Sequence, residues 1–194
     1  MTLVILLPLS YRNLLRTTTN IINTYSLTSN DRIYLVMPLS HVHRLMCGLL
    51  SSLRAGASVV IPPRFSVGQF WSDFISCRCN WWSAIPTIHN ILLCPPLPAK
   101  LPNRHEETFK APVLEAYAMT EAAHQMTSNV VETRLPGSVG VGVGVEISIR
   151  DEDGNEVPKG QTGEVCARGE NVTTGYWNNE KANKESFFGG RWFR

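Results

Sequence analysis

Short apolar runs of strand character alternate with helical stripes through the first half of the chain, and that alternation restricts the fold more than any other feature of the sequence. The segment YRNLLRTTTNIINTYSL places Leu14, Leu15, Ile21, Ile22 and Tyr25 on one helical stripe, with Ser10 in the N-cap position. RIYLVMPL is a strand-like run, HRLMCGLLSSLRAG reads as a helix stopped at Gly56, and ASVVIP is strand-like again. Ser66 can cap VGQFWSDFISC, Trp81 and Trp82 open a further strand in WWSAIP, and Pro86 leads the helix TIHNILL. Strand, helix, strand, helix is the pattern of a parallel sheet with right-handed crossovers.

The pattern breaks at residues 95–110, where proline and polar residues crowd together without periodicity and read as an irregular junction. PVLEAYAM then restores a strand. After Pro136 the character changes to glycine-spaced β segments in which Val145, Ile147 and Ile149 alternate with Glu146, Ser148 and Arg150, and DEDGNE supplies the Asp-Gly turn of a hairpin. The fold class expected is therefore α/β: a parallel αβα layer over residues 8–133, then a small β subdomain over residues 134–194. GVGVGVE is not a dinucleotide fingerprint, because its glycines lead into β-patterned sequence rather than a helix.

Composition excludes several function classes. Lysine and arginine exceed aspartate and glutamate by only 18 to 16 and form no run, so neither nucleic acid nor an anionic membrane is an expected partner. The start, MTLVILLPLS, has no basic lead and is too short to span a bilayer, so no targeting signal is read in it. The five cysteines (Cys47, Cys77, Cys79, Cys94, Cys166) are odd in number and sit in apolar segments, which fits buried thiols in a reducing compartment. Cys77 and Cys79 have no second Cys/His pair at zinc-ligand spacing. His41 and His43 share a face if HVH is extended, but no third metal ligand is evident nearby, and His43 reads as a packing or turn residue.

The most informative group is TEAAH. It follows the end of a strand, which is where open α/β sheets place ligands. Thr120 offers a hydroxyl and Glu121 a hard carboxylate, a pairing suited to a phosphate oxygen and its magnesium ion. On residue types alone, a helix N-cap with glutamate in the first turn explains both and is the favoured reading.

The segment EAYAMTEAAHQM resembles the Y-x-M-T-E signature of the adenylate-forming superfamily, which includes acyl-CoA synthetases, firefly-type luciferases and peptide-synthetase adenylation domains. PLSHVHRLMCGLLSSLRAGASVVIPPRFS, PTIHNILL and GEVCARGENVTTGYWNN are similar to three further ordered blocks of that family, and the resemblance runs from about residue 8 onward. LEAYAMTEAAHQMTSN and IPPRFSVGQFW are most similar to its oxalate–CoA ligase type, with 4-coumarate–CoA ligases a more distant comparison. The resemblance implies activation of a small carboxylic acid, oxalate by type, by Mg2+ and ATP to an acyl-adenylate and transfer of the acyl group to coenzyme A. It implies that Glu115, Ala116 and Tyr117 line the adenine pocket, that Thr120 contacts phosphate, that Glu121 holds magnesium, and that His41 and His124 face the carboxylate. A cytoplasmic or peroxisomal location goes with it.

The chain also departs from the family pattern. MTLVILL stands where a glycine-rich phosphate loop is expected, the proline-rich stretch stands where a strand, a helix and a Ser-containing loop of the site are expected, and GGRWFR precedes the place of the ribose-binding Asp and the lid domain with its catalytic Lys. The expectation is therefore a fragment that does not catalyse the reaction by itself; the alternative is a noncatalytic remnant with an interaction role.

Overall fold

The computed structural model describes residues 5–93 and 111–194. Helix α1 (Tyr11–Tyr25) begins in a capping box: the Ser10 hydroxyl accepts from the Asn13 backbone N–H, and the Asn13 side chain accepts the Ser10 N–H in return. It closes at Ser26, a left-handed residue whose N–H reaches the Ile22 carbonyl. Its buried face is only in part the apolar stripe expected: Ile21 is buried, and Ile22 and Tyr25 pack with it against Leu27 and Cys47. Asn13, Thr17, Asn20 and Ile21 are buried, whereas Leu15 is 55% exposed. What α1 packs against explains this. Asn13 Nδ2 donates to the carbonyls of Glu170 and Val172 at 2.8 and 2.9 Å, and Thr17 reaches the Ala122 carbonyl. Backbone carbonyls buried under a helix require donors from it.

Strand β1 (Arg32–Tyr34) pairs in parallel with β2 (Ser58–Val60), Ile33 opposite Val59, and Trp81 makes a parallel bridge to Ile33. WWSAIP contributes that bridge rather than a full strand. The crossover between β1 and β2 is a π-helical stretch, Arg44–Leu50, running into α2 (Ser51–Arg54). Gly48 lets it lie close to the strand segment, since a Cβ there would stand 2.5 Å from the Leu35 side chain. Helices α3 (Val67–Ser76) and α4 (Pro86–Leu93) follow. Ser66 precedes α3 in extended backbone, but its side chain makes no cap hydrogen bond. Tyr34, Val36, Met37, Phe70 and Leu92 form the core here, with Trp71, Phe74 and Trp82 packed against it.

Strand β3 (Ala116–Met119) pairs antiparallel with β4 (His124–Ser128), which pairs antiparallel with β5 (Val141–Gly142). Among the described residues, the parallel pairing expected across residues 8–133 is thus confined to β1, β2 and the Trp81 bridge. The cause is local: Thr120–Ala122 form a 3-10 turn and Ala123 is left-handed, so the chain reverses beside β3. A parallel neighbour would need a crossover of a dozen or more residues.

The C-terminal part is a four-stranded antiparallel sheet of β6 (Glu146–Arg150), β7 (Glu164–Arg168), β8 (Phe187–Phe188) and β9 (Trp192–Phe193), in the order β6-β7-β9-β8, with α5 (Glu180–Ser186) before β8. The expected turn is present: Asp151 Oδ1 accepts from the Asn155 N–H at 2.8 Å, Gly154 has φ 82°, and Arg150 bridges Glu156. Cys47, Cys79 and Cys166 are free and buried and Cys77 is free and half-buried, while Cys94 lies outside the described residues. No helix among the described residues is long and apolar enough to cross a membrane.

Candidate functional site

The turn between β3 and β4 carries most of the residues singled out from the sequence. Glu115 is exposed; its Oε2 accepts from the Gly137 N–H at 2.7 Å, and its carbonyl accepts from Asn129 at 2.9 Å. Ala116 and Tyr117 face Ser128 and Thr127 across the ladder, and the register shifts immediately after Tyr117. Tyr117 is 40% exposed and Thr120 is exposed. Thr120 does not cap a helix: Met119 holds the N-cap position of the turn, and no side chain caps it. The hydroxyl therefore remains available for another oxygen.

Glu121 is fixed from two sides. Its carbonyl accepts from the Thr173 N–H at 2.7 Å, and its Oε1 accepts from the Tyr176 hydroxyl at 3.0 Å. Burial, with the Glu121 hydrogen bond next, pushes the Tyr176 phenol up to about 12, so it stays a donor at neutral pH. A carboxylate anchored through one oxygen beside an exposed hydroxyl fits Mg2+, which is bound through one or two carboxylates together with substrate phosphates. An exposed aromatic at the edge of a three-stranded sheet fits a purine face.

Beyond the turn the backbone is strained at two consecutive non-glycine residues, Ala123 at φ 52° and His124 at φ 109°. Such conformations carry on the order of 1–3 kcal/mol each and cluster where function requires them. His124 is 7% exposed, and its ring stacks on His43 with centroids 4.6 Å apart and planes 19° from parallel. His43 Nε2 lies 2.7 Å from Ser83 Oγ, and the His41 ring lies 6.4 Å from that of His43. Burial pushes His124 down to about 3 and His43 down to about 4, with the neighbouring histidines adding to both, so the two imidazoles are neutral at physiological pH.

The structure thus joins Glu115, Ala116, Tyr117, Thr120 and Glu121 on one strand and turn, and links His41 to His124 through His43. It also brings in residues that the sequence reading had not placed. Tyr176 belongs to the quoted GY block but lies 55 residues from Glu121, and no local pattern couples them. His43, read as a packing or turn residue, stacks on His124, and with Cys47, one helical turn on, the three have ligand atoms that all lie within 4.8 Å of one another. The H-x-x-x-C spacing of residues 43–47 was the available signal.

Comparison with known proteins gives a consistent result. The family described as AMP-binding enzyme matches residues 7–95 and 93–177. The oxalate–CoA ligase of Saccharomyces cerevisiae is 49% identical over 199 residues, covering 93% of this chain and 37% of its own length. That of Arabidopsis thaliana is 44% identical over 211 residues, covering 96% and 41%. Among solved structures, the O-succinylbenzoate coenzyme A synthetase of Bacillus subtilis in complex with ATP and magnesium ion superposes with a TM-score of 0.83 at 28% identity, over 97% of this chain and 43% of that one. The chain spans about two fifths of the length of the curated relatives it matches.

Proposed function

Because the chain belongs to the AMP-binding enzyme family, we propose that it carries the magnesium–phosphate and carboxylate side of a site that joins a small dicarboxylic acid, oxalate first, to coenzyme A at the expense of ATP. The observation that supports this best is the Thr120–Glu121 turn, an exposed hydroxyl beside a carboxylate already oriented by Tyr176. Residues 8–133 and 134–194 are read as the α/β and β parts of that site. The location proposed remains cytoplasmic or peroxisomal.

In this reading Glu115, Ala116 and Tyr117 border the adenine, Thr120 contacts a phosphate oxygen, and Glu121 holds Mg2+ through the oxygen that Tyr176 leaves open. Magnesium, when bound, offsets the charge on the phosphates. The Tyr176 hydroxyl keeps Glu121 from rotating away, so the carboxylate needs no reorganisation to act. His41 and His124 each offer an imidazole N–H to the acid. His124 is neutral, so it contributes a directional donor rather than a positive charge.

The test is acid-dependent exchange of labelled pyrophosphate into ATP with oxalate, malonate, coumarate and a medium-chain fatty acid. For the 194-residue polypeptide we expect Mg-ATP binding without exchange, because Thr120 and Glu121 hold one side of the phosphates and this chemistry depends on complete positioning. Exchange well above a Glu121→Gln control would overturn that expectation. In a chain extended to the length of the relatives it matches, His124→Ala should lower use of oxalate by about 1.5–3 kcal/mol, the worth of a hydrogen bond to a charged group, while ATP binding is unchanged. Equal losses for oxalate and for a long apolar acid would remove His124 from the acid.

A further inference from the structure

We propose that His43, Cys47 and His124 form a binding site for a zinc-class divalent cation. Nothing in the ligase reading requires this site, although the two share His124.

The donors come from two elements that the fold presses together. His43 and Cys47 are one helical turn apart, His43 in helical backbone at the N-cap and Cys47 inside the π-helical stretch Arg44–Leu50. His124 enters from the first residue of β4. One ligand atom from each lies within 4.8 Å of the other two. Around a tetrahedral zinc ion, with Zn–N about 2.0 Å and Zn–S about 2.3 Å, donors stand roughly 3.5 Å apart. Bringing the three to one ion therefore takes a closure of about 1 Å together with a turn of one of the two stacked rings, so that both imidazole lone pairs converge. Ser83 Oγ lies on the same group, 2.7 Å from His43 Nε2 and 3.6 Å from Cys47 Sγ, and offers an oxygen for the fourth position.

The chemistry of the donors points to the ion. Two imidazoles and a thiol contain no carboxylate, a set that suits zinc or copper and not magnesium or calcium. Burial keeps both imidazoles neutral, with their lone pairs free of protons, and pushes the Cys47 thiol up to about 11. Without a cation Cys47 thus stays a thiol. Binding forms a metal–thiolate bond as the S–H bond breaks and the proton leaves to solvent, one proton per ion bound. An ion here would also engage His124 and so compete with a carboxylate for it.

The experiment titrates the purified 194-residue chain with Co2+ in the presence of a non-thiol reductant, then displaces it with Zn2+. One equivalent should bind with a thiolate-to-cobalt charge-transfer band. Cys47→Ser should abolish the band, and His43→Asn and His124→Asn should each weaken binding about tenfold or more. Cys77→Ser, altering the half-buried thiol outside the cluster, should change nothing. X-ray absorption of the zinc-loaded wild-type chain needs no variant and should show one sulfur and two imidazole nitrogens around the ion. A shell without sulfur, a band that persists in Cys47→Ser, or one that disappears in Cys77→Ser would overturn the assignment. None of these readouts uses ATP or an acid, so failure here leaves the ligase reading untouched, and failure of that reading leaves this one.

Discussion

The cluster around Tyr34 and Phe70 and the seam between α1 and residues 170–173 are both buried, yet the first is built from rings and the second from amides and hydroxyls. Phe70 is fully buried, its ring centroid 4.9 Å from Trp71, 5.2 Å from Tyr34 and 5.5 Å from both Phe74 and Trp82. Across the seam, Asn13 meets the Glu170 and Val172 carbonyls, Asn171 donates to the Ala122 and Gln125 carbonyls, and Thr173 donates to that of Pro8. The difference is one of directionality. A ring cluster is held by area and tolerates small shifts, whereas a seam of hydrogen bonds fixes where each backbone lies. The Thr173 N–H that anchors Glu121 belongs to the seam, so the candidate site is positioned by the directional region and not by the ring cluster.

The largest effect expected is in the ring cluster. Phe70→Ala should destabilise the protein by about 3–5 kcal/mol in urea unfolding, through lost transfer free energy and the cavity left behind. A loss under about 1 kcal/mol would mean that the cluster is not close-packed. Next is Asn13→Ala, which removes half of the capping box and leaves one buried and one part-buried carbonyl without their donor; about 2–3 kcal/mol is expected in the same measurement. A loss like that of an exposed residue would erase the distinction between the two regions. Tyr176→Phe is a narrower change: stability should hold within about 1 kcal/mol, while Mg-dependent ATP binding weakens by about three- to tenfold as Glu121 loses its anchor. Leu15→Ala is expected to do least, within about 0.5 kcal/mol, because Leu15 lies on the open face of α1. Were Leu15→Ala to cost more than Asn13→Ala, the buried stripe would be the apolar one after all.

The same contrast explains what could be read in advance. The elements of the ring cluster were legible because apolar runs and helical spacing carry them: β1, β2, α3 and α4 all fall within expected segments. The stripe of α1 was legible only in part: Ile21, Ile22 and Tyr25 pack inward as the period implies, but Leu15 lies outward, and the burial of Asn13 and Thr17 answers carbonyls more than a hundred residues away. The close approach of the π-helical stretch Arg44–Leu50 to Leu35 depends on Gly48, a contact between elements that leaves no periodic trace. Thr120 and Glu121 could be singled out as candidates because they are adjacent in sequence and follow a strand. Tyr176 and the grouping of His43, Cys47 and His124 could not, since only the antiparallel return of β4 beside β3 puts His124 where it is.

The central claim is that the Thr120–Glu121 turn is the magnesium–nucleotide side of the site. Calorimetric titration of the chain with ATP, with and without Mg2+, for wild type and Glu121→Gln tests it directly. Mg2+ should strengthen ATP binding in the wild type, and this gain should disappear in Glu121→Gln while metal-free binding stays the same. An equal gain from Mg2+ in both proteins would contradict it.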